Sequence, residues 1–174
     1  MSFKVLFLAG FLACALLARA ALADELPAQR PETGFGPVSY RDGMQQIIDR
    51  AVELIGVRYR RSGDTPQTGF DCSGFVGYVF RESMGLILPR VSREISKTGA
   101  PVSKDELEPG DLVFFHTMRH TFSHVGIYLG DHLFVHAPRT GQSVRIDDLQ
   151  EHYWAKRYNG ARRVSGSMVF AAQR

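Results

Sequence analysis

Cys72, His124 and His136 are the residues of this sequence whose side-chain types could act together in a reaction, as a thiol nucleophile and two imidazoles. The chain contains two cysteines, and Cys14 falls inside an apolar N-terminal run that reads as an export signal. Cys72 is therefore expected to be the only thiol of the mature protein, with no partner for an intrachain disulfide. Phe70-Asp71-Cys72-Ser73-Gly74-Phe75-Val76 leads into Val79, Phe80 and Met84 at near-helical spacing, with Gly85 placed as a C-terminal cap, so Cys72 opens a predicted helix. A thiol there feels the positive end of the macrodipole and the unpaired backbone N–H groups, and both favour the thiolate. The alternative is a small core hydrophobe, which free cysteines commonly are. A base within reach decides between the two.

The stretch His124-Val125-Gly126-Ile127-Tyr128-Leu129-Gly130-Asp131-His132-Leu133-Phe134-Val135-His136 reads as a β-hairpin with a histidine at each open end. A two-residue Gly130-Asp131 turn would pair His124 with Ala137 and point His136 to the other face. A three-residue loop, or an equivalent bulge, sets position 124 opposite 138 and position 136 opposite 126. Both rings then share a face as diagonal neighbours, so the odd loop or bulge is the expectation. On that face His124 would take the proton of Cys72, giving a thiolate–imidazolium pair, and return it to a leaving amine. His136 would hold the first ring in its productive tautomer. A neutral imidazole lacks the negative charge of a carboxylate in that place, so it is expected to orient the base more than to polarise it.

His116, His120, His132 and His152 read as exposed polar residues. His116, His120 and His124 stand at i, i+4 and i+8, a metal-gathering spacing on a helix, but the segment reads as a strand followed by a loop. No metal and no cofactor are expected.

The elements that must position these side chains follow from periodicity. Met44, Ile47, Ile48, Ala51, Val52 and Ile55 form a helical apolar stripe ending at Gly56. Turn-rich residues 64–69 precede the Cys72 helix, a short helix is expected over 92–98, and Ser103-Lys104-Asp105-Glu106 has capping-box spacing. Strand patterning then takes over at 111–115, 123–129, 133–137 and 144–146, a β-meander, before a helix over 148–156 and a last strand over 158–164. Helices first and strands afterwards argue for α+β rather than alternating α/β.

Residues 1–23 read as a signal peptide, with Lys4 at its start and Ala21-Leu22-Ala23 as the cleavage site. Residues 24–41 are expected to be a flexible lead-in, 42–165 the domain that carries Cys72, His124 and His136, and 166–174 a C-terminal tail. Removal of the signal takes away Lys4 and Arg19 and no acidic residue, lowering the formal charge of +3 by two. Such a near-neutral protein has no basic footprint for nucleic acid. Membrane contact is expected only if the N-terminal segment stays as an anchor, and the protein is expected to be a monomer, exported to the periplasm or cell envelope.

Four ordered blocks carry a resemblance: Phe70-Asp71-Cys72-Ser73-Gly74-Phe75-Val76, Leu107-Glu108-Pro109-Gly110-Asp111-Leu112-Val113-Phe114-Phe115, His124-Val125-Gly126-Ile127-Tyr128-Leu129-Gly130, and Phe134-Val135-His136-Ala137. In that order and spacing they resemble the NlpC-type cell-wall cysteine peptidases. The closing Tyr153-Trp154-Ala155-Lys156-Arg157-Tyr158-Asn159-Gly160-Ala161-Arg162-Arg163-Val164 is most similar to the Spr-type murein endopeptidases within them. The resemblance implies a papain-like α+β fold and hydrolysis of amide bonds in the stem or cross-linking peptides of peptidoglycan, with Cys72 as nucleophile, His124 as base and His136 as orienter. It further implies that the Tyr59 hydroxyl helps hold the oxyanion with the Cys72 N–H, and that Asp71 and Ser73 line the substrate site. Asp71 and Ser73 also suit plain helix-start chemistry, and for Ser73 the two readings stand level.

Relatives usually follow the tyrosine with an aromatic residue and two glycines, where this chain has Arg61 and Ser62 at the aromatic and first glycine positions. Arg58, Arg60 and Arg61 could meet substrate carboxylates or form an exposed solvated loop. A non-catalytic wall-binding module on the same fold is the competing function, and a zinc hydrolase or an acyl transferase are the other classes. The bond that is cut is not written in the sequence.

Overall fold

The computed structural model describes residues 40–118 and 120–165. The signal segment, the lead-in as far as residue 39 and the tail 166–174 lie outside the described residues. Among those described, no helix is long and apolar enough to cross a membrane.

Helix α1 (Tyr40–Glu53) has Asp42 in its first turn and Arg50 in its last, each favourable to the macrodipole. It buries Met44, Ile47 and Ala51, as the stripe predicts, but Val52 and Ile55 are each 43% exposed and Leu54 is buried in their place. For Ile55 the cause is local: after Glu53 the chain tightens into i→i−3 bonds, Leu54 N–H to Ala51 C=O and Ile55 N–H to Val52 C=O, which turns the side chain further per residue than an α-helix does, whereas Val52 lies within α1 at the edge of the stripe.

A small hairpin of β1 (Asp64–Thr65) and β2 (Gly69–Phe70) occupies the turn-rich stretch and delivers the chain to α2 (Cys72–Met84). Asp71 caps α2, accepting from Gly74 N–H at 2.7 Å. Gly85 ends it at φ 66°, where its N–H returns to Arg81 C=O and the Leu86 N–H to Phe80 C=O. Gly74 is a close approach: a Cβ there would lie 2.1 Å from the Gly63 carbonyl oxygen, so the start of α2 packs directly on the backbone of the preceding loop. A short helix α3 (Ser92–Ile95) follows. The capping-box stretch forms only a 3₁₀ turn, Lys104–Glu106, with the Ser103 hydroxyl on the Glu106 carboxylate at 2.7 Å.

Strands β3 (Ala100–Val102), β4 (Leu112–Phe115), β5 (His124–Gly130), β6 (Leu133–His136), β7 (Arg145–Asp148) and β8 (Tyr158–Arg163) form one sheet. Its spatial order is β3-β8-β4-β5-β6-β7, with every pairing antiparallel. The expected meander is β4 to β7. The last strand does not extend it beyond β7 but inserts between β3 and β4. Arg163 fastens it there by a two-pronged pair with Asp111, Nε to Oδ1 and Nη2 to Oδ2 at 2.8 Å each, on a carboxylate that is almost wholly buried.

Strand alternation divides the core in two. Leu112, Phe114, Val125, Ile127 and Val135 face α1 and α2, against Phe75, Val76, Val79 and Phe80. Val113, Phe115, Tyr128 and Phe134 face the opposite way, against Leu149 and Trp154. Trp154 belongs to α4 (His152–Ala155), which is shorter than the helix expected over 148–156, because Asp148 ends β7 instead. The result is the α+β architecture expected, with the sheet covered on both faces.

Candidate active site

Strand β5 pairs with β6 in the register Ile127 opposite Val135 and Tyr128 opposite Phe134. The turn itself is two residues, Asp131 and His132, at φ 48° and 64°, as a type I′ turn requires. A bulge at Leu129 supplies the odd residue, shifting the register between Tyr128 and Gly130. The bulged form of the hairpin therefore sets both rings on one face, and His124 Nε2 lies 2.7 Å from His136 Nδ1. Gly126 makes room for this contact: a Cβ there would come within 2.7 Å of the Phe134 ring, 2.9 Å of the Val135 oxygen and 3.2 Å of the His136 Cβ.

The second ring is anchored further out. His136 Nε2 meets Asp147 Oδ2 at 2.9 Å. Arg145 donates to the same carboxylate through Nε and Nη2, both at 2.9 Å, and the Trp154 indole N–H donates to it at 3.0 Å. Burial opposes charge on the Asp147 carboxyl, but its hydrogen bonds with His136 and Arg145 outweigh it and bring the pKa down to about 2. An ionised Asp147 accepts only, so His136 carries its proton on Nε2 and presents Nδ1 as an acceptor. His124 then donates from Nε2, which leaves its Nδ1 as the basic nitrogen. The indole of Trp154 lies over the base, its ring stacked on His124 with centroids 5.6 Å apart, and it meets His136 edge-on at 4.9 Å. His124 is 4% exposed and His136 is fully buried.

Cys72 sits at the first position of α2, partly buried against the helix-side core. The thiol and His124 come from opposite layers and meet on a shared cavity of about 430 Å³, which Tyr59, Arg139, Arg145 and Trp154 also line. Among the described residues the sulfur forms no hydrogen bond to either ring. Burial pushes the Cys72 thiol up to about 11, the Asp71 charge adds to this, and the backbone N–H groups of Val125, Ser73 and Cys72 pull the other way. Burial also holds His124 well below the usual imidazole range, with the neighbouring His136 adding to the effect and Asp147 opposing it. His136 is lowered by burial as well, against the pull of Asp147. Burial thus acts against the expected thiolate–imidazolium pair at both partners, while the helix-terminal N–H groups act for it at the thiol. Proton transfer belongs to the attack itself, for which the needed hydrogen bond commonly tightens only around substrate.

Tyr59 reaches the cavity, and burial first, then the charge of Cys72, raises its pKa. Its hydroxyl therefore stays protonated and able to donate. Asp71 and Ser73 are not among the residues lining the cavity. Arg90 binds both Asp71 oxygens at 2.8–2.9 Å and the Ser73 hydroxyl at 2.9 Å, while Asp71 caps α2 and accepts from Ser62 N–H at 2.9 Å. Both side chains thus serve the helix start. Ser62 stands at φ 61°, a conformation that suits the glycine of the resembling family. Arg58, Arg60 and Arg61 are exposed and line no part of the cavity, where the guanidinium groups are those of Arg139 and Arg145. His116, His120, His132 and His152 are exposed. Among the described residues no three His, Cys, Asp or Glu side chains converge as a metal site.

The sequence reading missed Asp147, Arg145 and Trp154. A signal for Asp147 existed: β7 pairs with β6 so that Phe134 faces Asp147 and His136 faces Arg145. Extending the face-counting by one strand would have reached it, had the strand not been ended at Ile146.

The NlpC/P60 family profile matches residues 56–163. The chain is 44% identical over 120 residues to the murein DD-endopeptidase MepH of Escherichia coli K12, an overlap covering 67% of this chain and 44% of that protein. It is 49% identical over 123 residues to the murein DD-endopeptidase MepS/murein LD-carboxypeptidase of the same strain, covering 71% of this chain and 64% of that one. The chain thus spans less than two thirds of the length of either relative. An NlpC/P60 family structure from Bacillus cereus superposes with a TM-score of 0.65 at 34% identity, over 69% of this chain and 39% of its own. Sequence and fold together show that the chain belongs to the NlpC/P60 family.

Proposed function

We propose that this protein is a peptidoglycan hydrolase that cleaves amide bonds in murein stem or cross-link peptides by a thiol mechanism. The observation that carries the reading is the shared cavity, which brings the Cys72 thiol and the His136-oriented His124 together in a chain of this family. The relatives named murein endopeptidases support the substrate class.

In the reaction Cys72 Sγ attacks the scissile carbonyl carbon while its proton passes to His124 Nδ1. The oxyanion takes hydrogen bonds from the Tyr59 hydroxyl and the Cys72 backbone N–H. The carbon–nitrogen bond then breaks, the amine leaves with the proton from His124, and a thioester remains. Water attacks the thioester, giving a proton to His124 that returns to sulfur as the acid product departs. Export fits the same reading: residues 1–23 serve as the signal, 24–41 as lead-in, 42–165 as the catalytic domain and 166–174 as a tail, with action in the periplasm or envelope as a monomer.

The test is digestion of purified sacculi with wild type and Cys72→Ala. Wild type should release muropeptides whose masses name the bond, and the folded variant should release none. Release by Cys72→Ala refutes the nucleophile, and a wild type that binds sacculi without releasing anything is the wall-binding module instead.

A further inference from the structure

We propose that Asp147 is the outermost member of a four-residue relay, Cys72–His124–His136–Asp147, a positioning residue that fixes the tautomers of both rings and places a negative charge behind the base. The inference rests on Cys72 and His124 being nucleophile and base. Its grounds are geometric. The side chain of Asp147 is 11% exposed, on the strand adjoining His136. Oδ2 receives three donors, His136 Nε2 and Arg145 Nη2 at 2.9 Å and Trp154 Nε1 at 3.0 Å, while Oδ1 receives Arg145 Nε at 2.9 Å.

A carboxylate with that many donors has one use for His136: it holds Nε2–H towards itself and Nδ1 towards His124. Losing it would free His136 to turn its N–H towards His124, whose own N–H would then lie on the side facing the thiol, where the base needs a lone pair. The charge matters as well as the orientation. When His124 takes the thiol proton, a positive charge appears beside Trp154 on a ring that is only 4% exposed, where an uncompensated ion is costly. Asp147 supplies the counter-charge that a bare imidazole lacks. The charged and titratable groups facing it are His136 from β6 and Arg145 from β7, with His124 on β5 behind His136. From α4 it meets only the uncharged indole of Trp154.

Asp147→Asn separates charge from geometry. The amide oxygen will take the Oδ2 position, where three donors converge, and the NH₂ will take the Oδ1 position, where only the half-exposed Arg145 Nε must give way. The His136 tautomer survives and the charge is gone. In a folded Asp147→Asn protein assayed on a soluble cross-linked muropeptide, kcat should fall by about tenfold or more with KM within about twofold. The acidic limb of the kcat profile should move to lower pH, because the imidazolium has lost its counter-charge. Asp147→Ala should lose more activity, and Asp147→Glu should recover part of it.

Side-chain nitrogen spectra of the wild type give an independent reading, with the proton on Nε2 of both rings at neutral pH. Wild-type kcat and an unmoved acidic limb in folded Asp147→Asn, with Cys72→Ala inactive, overturn the relay and leave the nucleophile standing. So does a proton on Nδ1 of His136. Activity in Cys72→Ala overturns the reading beneath both.

Discussion

Gly126→Ala is the smallest change that should unmake the histidine pair. The added methyl would sit 2.7 Å from the Phe134 ring, 2.9 Å from the Val135 carbonyl oxygen and 3.2 Å from the His136 Cβ. Two of these contacts lie far inside van der Waals distance, and neither neighbour is the loose end of a flexible chain. Phe134 is fully buried, and Val135 belongs to the β6 backbone. Overpacking of this kind costs about 1–3 kcal/mol, a fall in Tm of roughly 2–12 °C for a domain of this size. The relief available is to push β6 and His136 away from β5, which lengthens the 2.7 Å contact between the rings. A misplacement of about 1 Å in such a site lowers kcat by up to about 100-fold. Thermal unfolding with muropeptide release from the same preparation measures both effects. Gly77→Ala, in the middle of α2 with nothing within 4 Å of its added Cβ, is the control of opposite sign and should stabilise by about 0.5–1 kcal/mol. A Gly126→Ala protein with wild-type Tm and kcat would refute the close-approach argument and the dependence of the base on His136 together.

Two other predictions concern protons. With the Cys72 thiol pushed up to about 11, alkylation by iodoacetamide should climb with each pH unit from neutrality to about pH 10 and show no acid plateau. This reverses the fast labelling at mildly acidic pH that an activated helix-tip thiol would show, and a plateau near pH 5–6 would restore the standing ion pair. Stability should fall on acidification in two stages. His124 and His136 have folded pKa values below 6.5, so their contribution is full above 6.5 and is lost as pH drops towards the folded values. Asp147, lowered from 3.8 to about 2, contributes above about 4 and loses that contribution as pH approaches 2. Tm measured from pH 7 to pH 3 should decline from about 6.5 downwards, and a constant Tm between pH 7 and 5 would contradict the buried neutral rings.

The sequence made the hairpin legible because period-2 alternation and the parity of the turn constrain each other: only an odd residue lets both histidines share a face. Leu129 supplies it as a bulge rather than as a loop residue. Asp147 stayed hidden because two successive aspartates are poor strand formers and read as the start of a helix, whereas in the fold its partners on β6 and α4 override that preference. The upward shift of the Cys72 thiol was not legible. The helix terminus is a local feature visible in sequence, while the burial that pushes the thiol up comes from the helix-side core against which Cys72 packs, assembled from segments far apart in the chain. Ile55 was assigned inward because the stripe was extended past the point where α1 tightens, and Val52 because the stripe was drawn too wide. The place of β8 was missed because sequential strands usually neighbour each other, and this one turns back to the other side of β4.

The position of β8 also ties the sheet together across a long stretch of chain. Its partners β3 and β4 are made more than forty residues earlier, and β4 is in turn the strand against which β5 holds its histidine. A nascent or threaded chain that has not yet delivered Tyr158–Arg163 leaves β4 with an open edge and β3 with nothing to pair with. The sheet that holds His124 in place is therefore complete only once a segment more than thirty residues beyond that histidine has joined it.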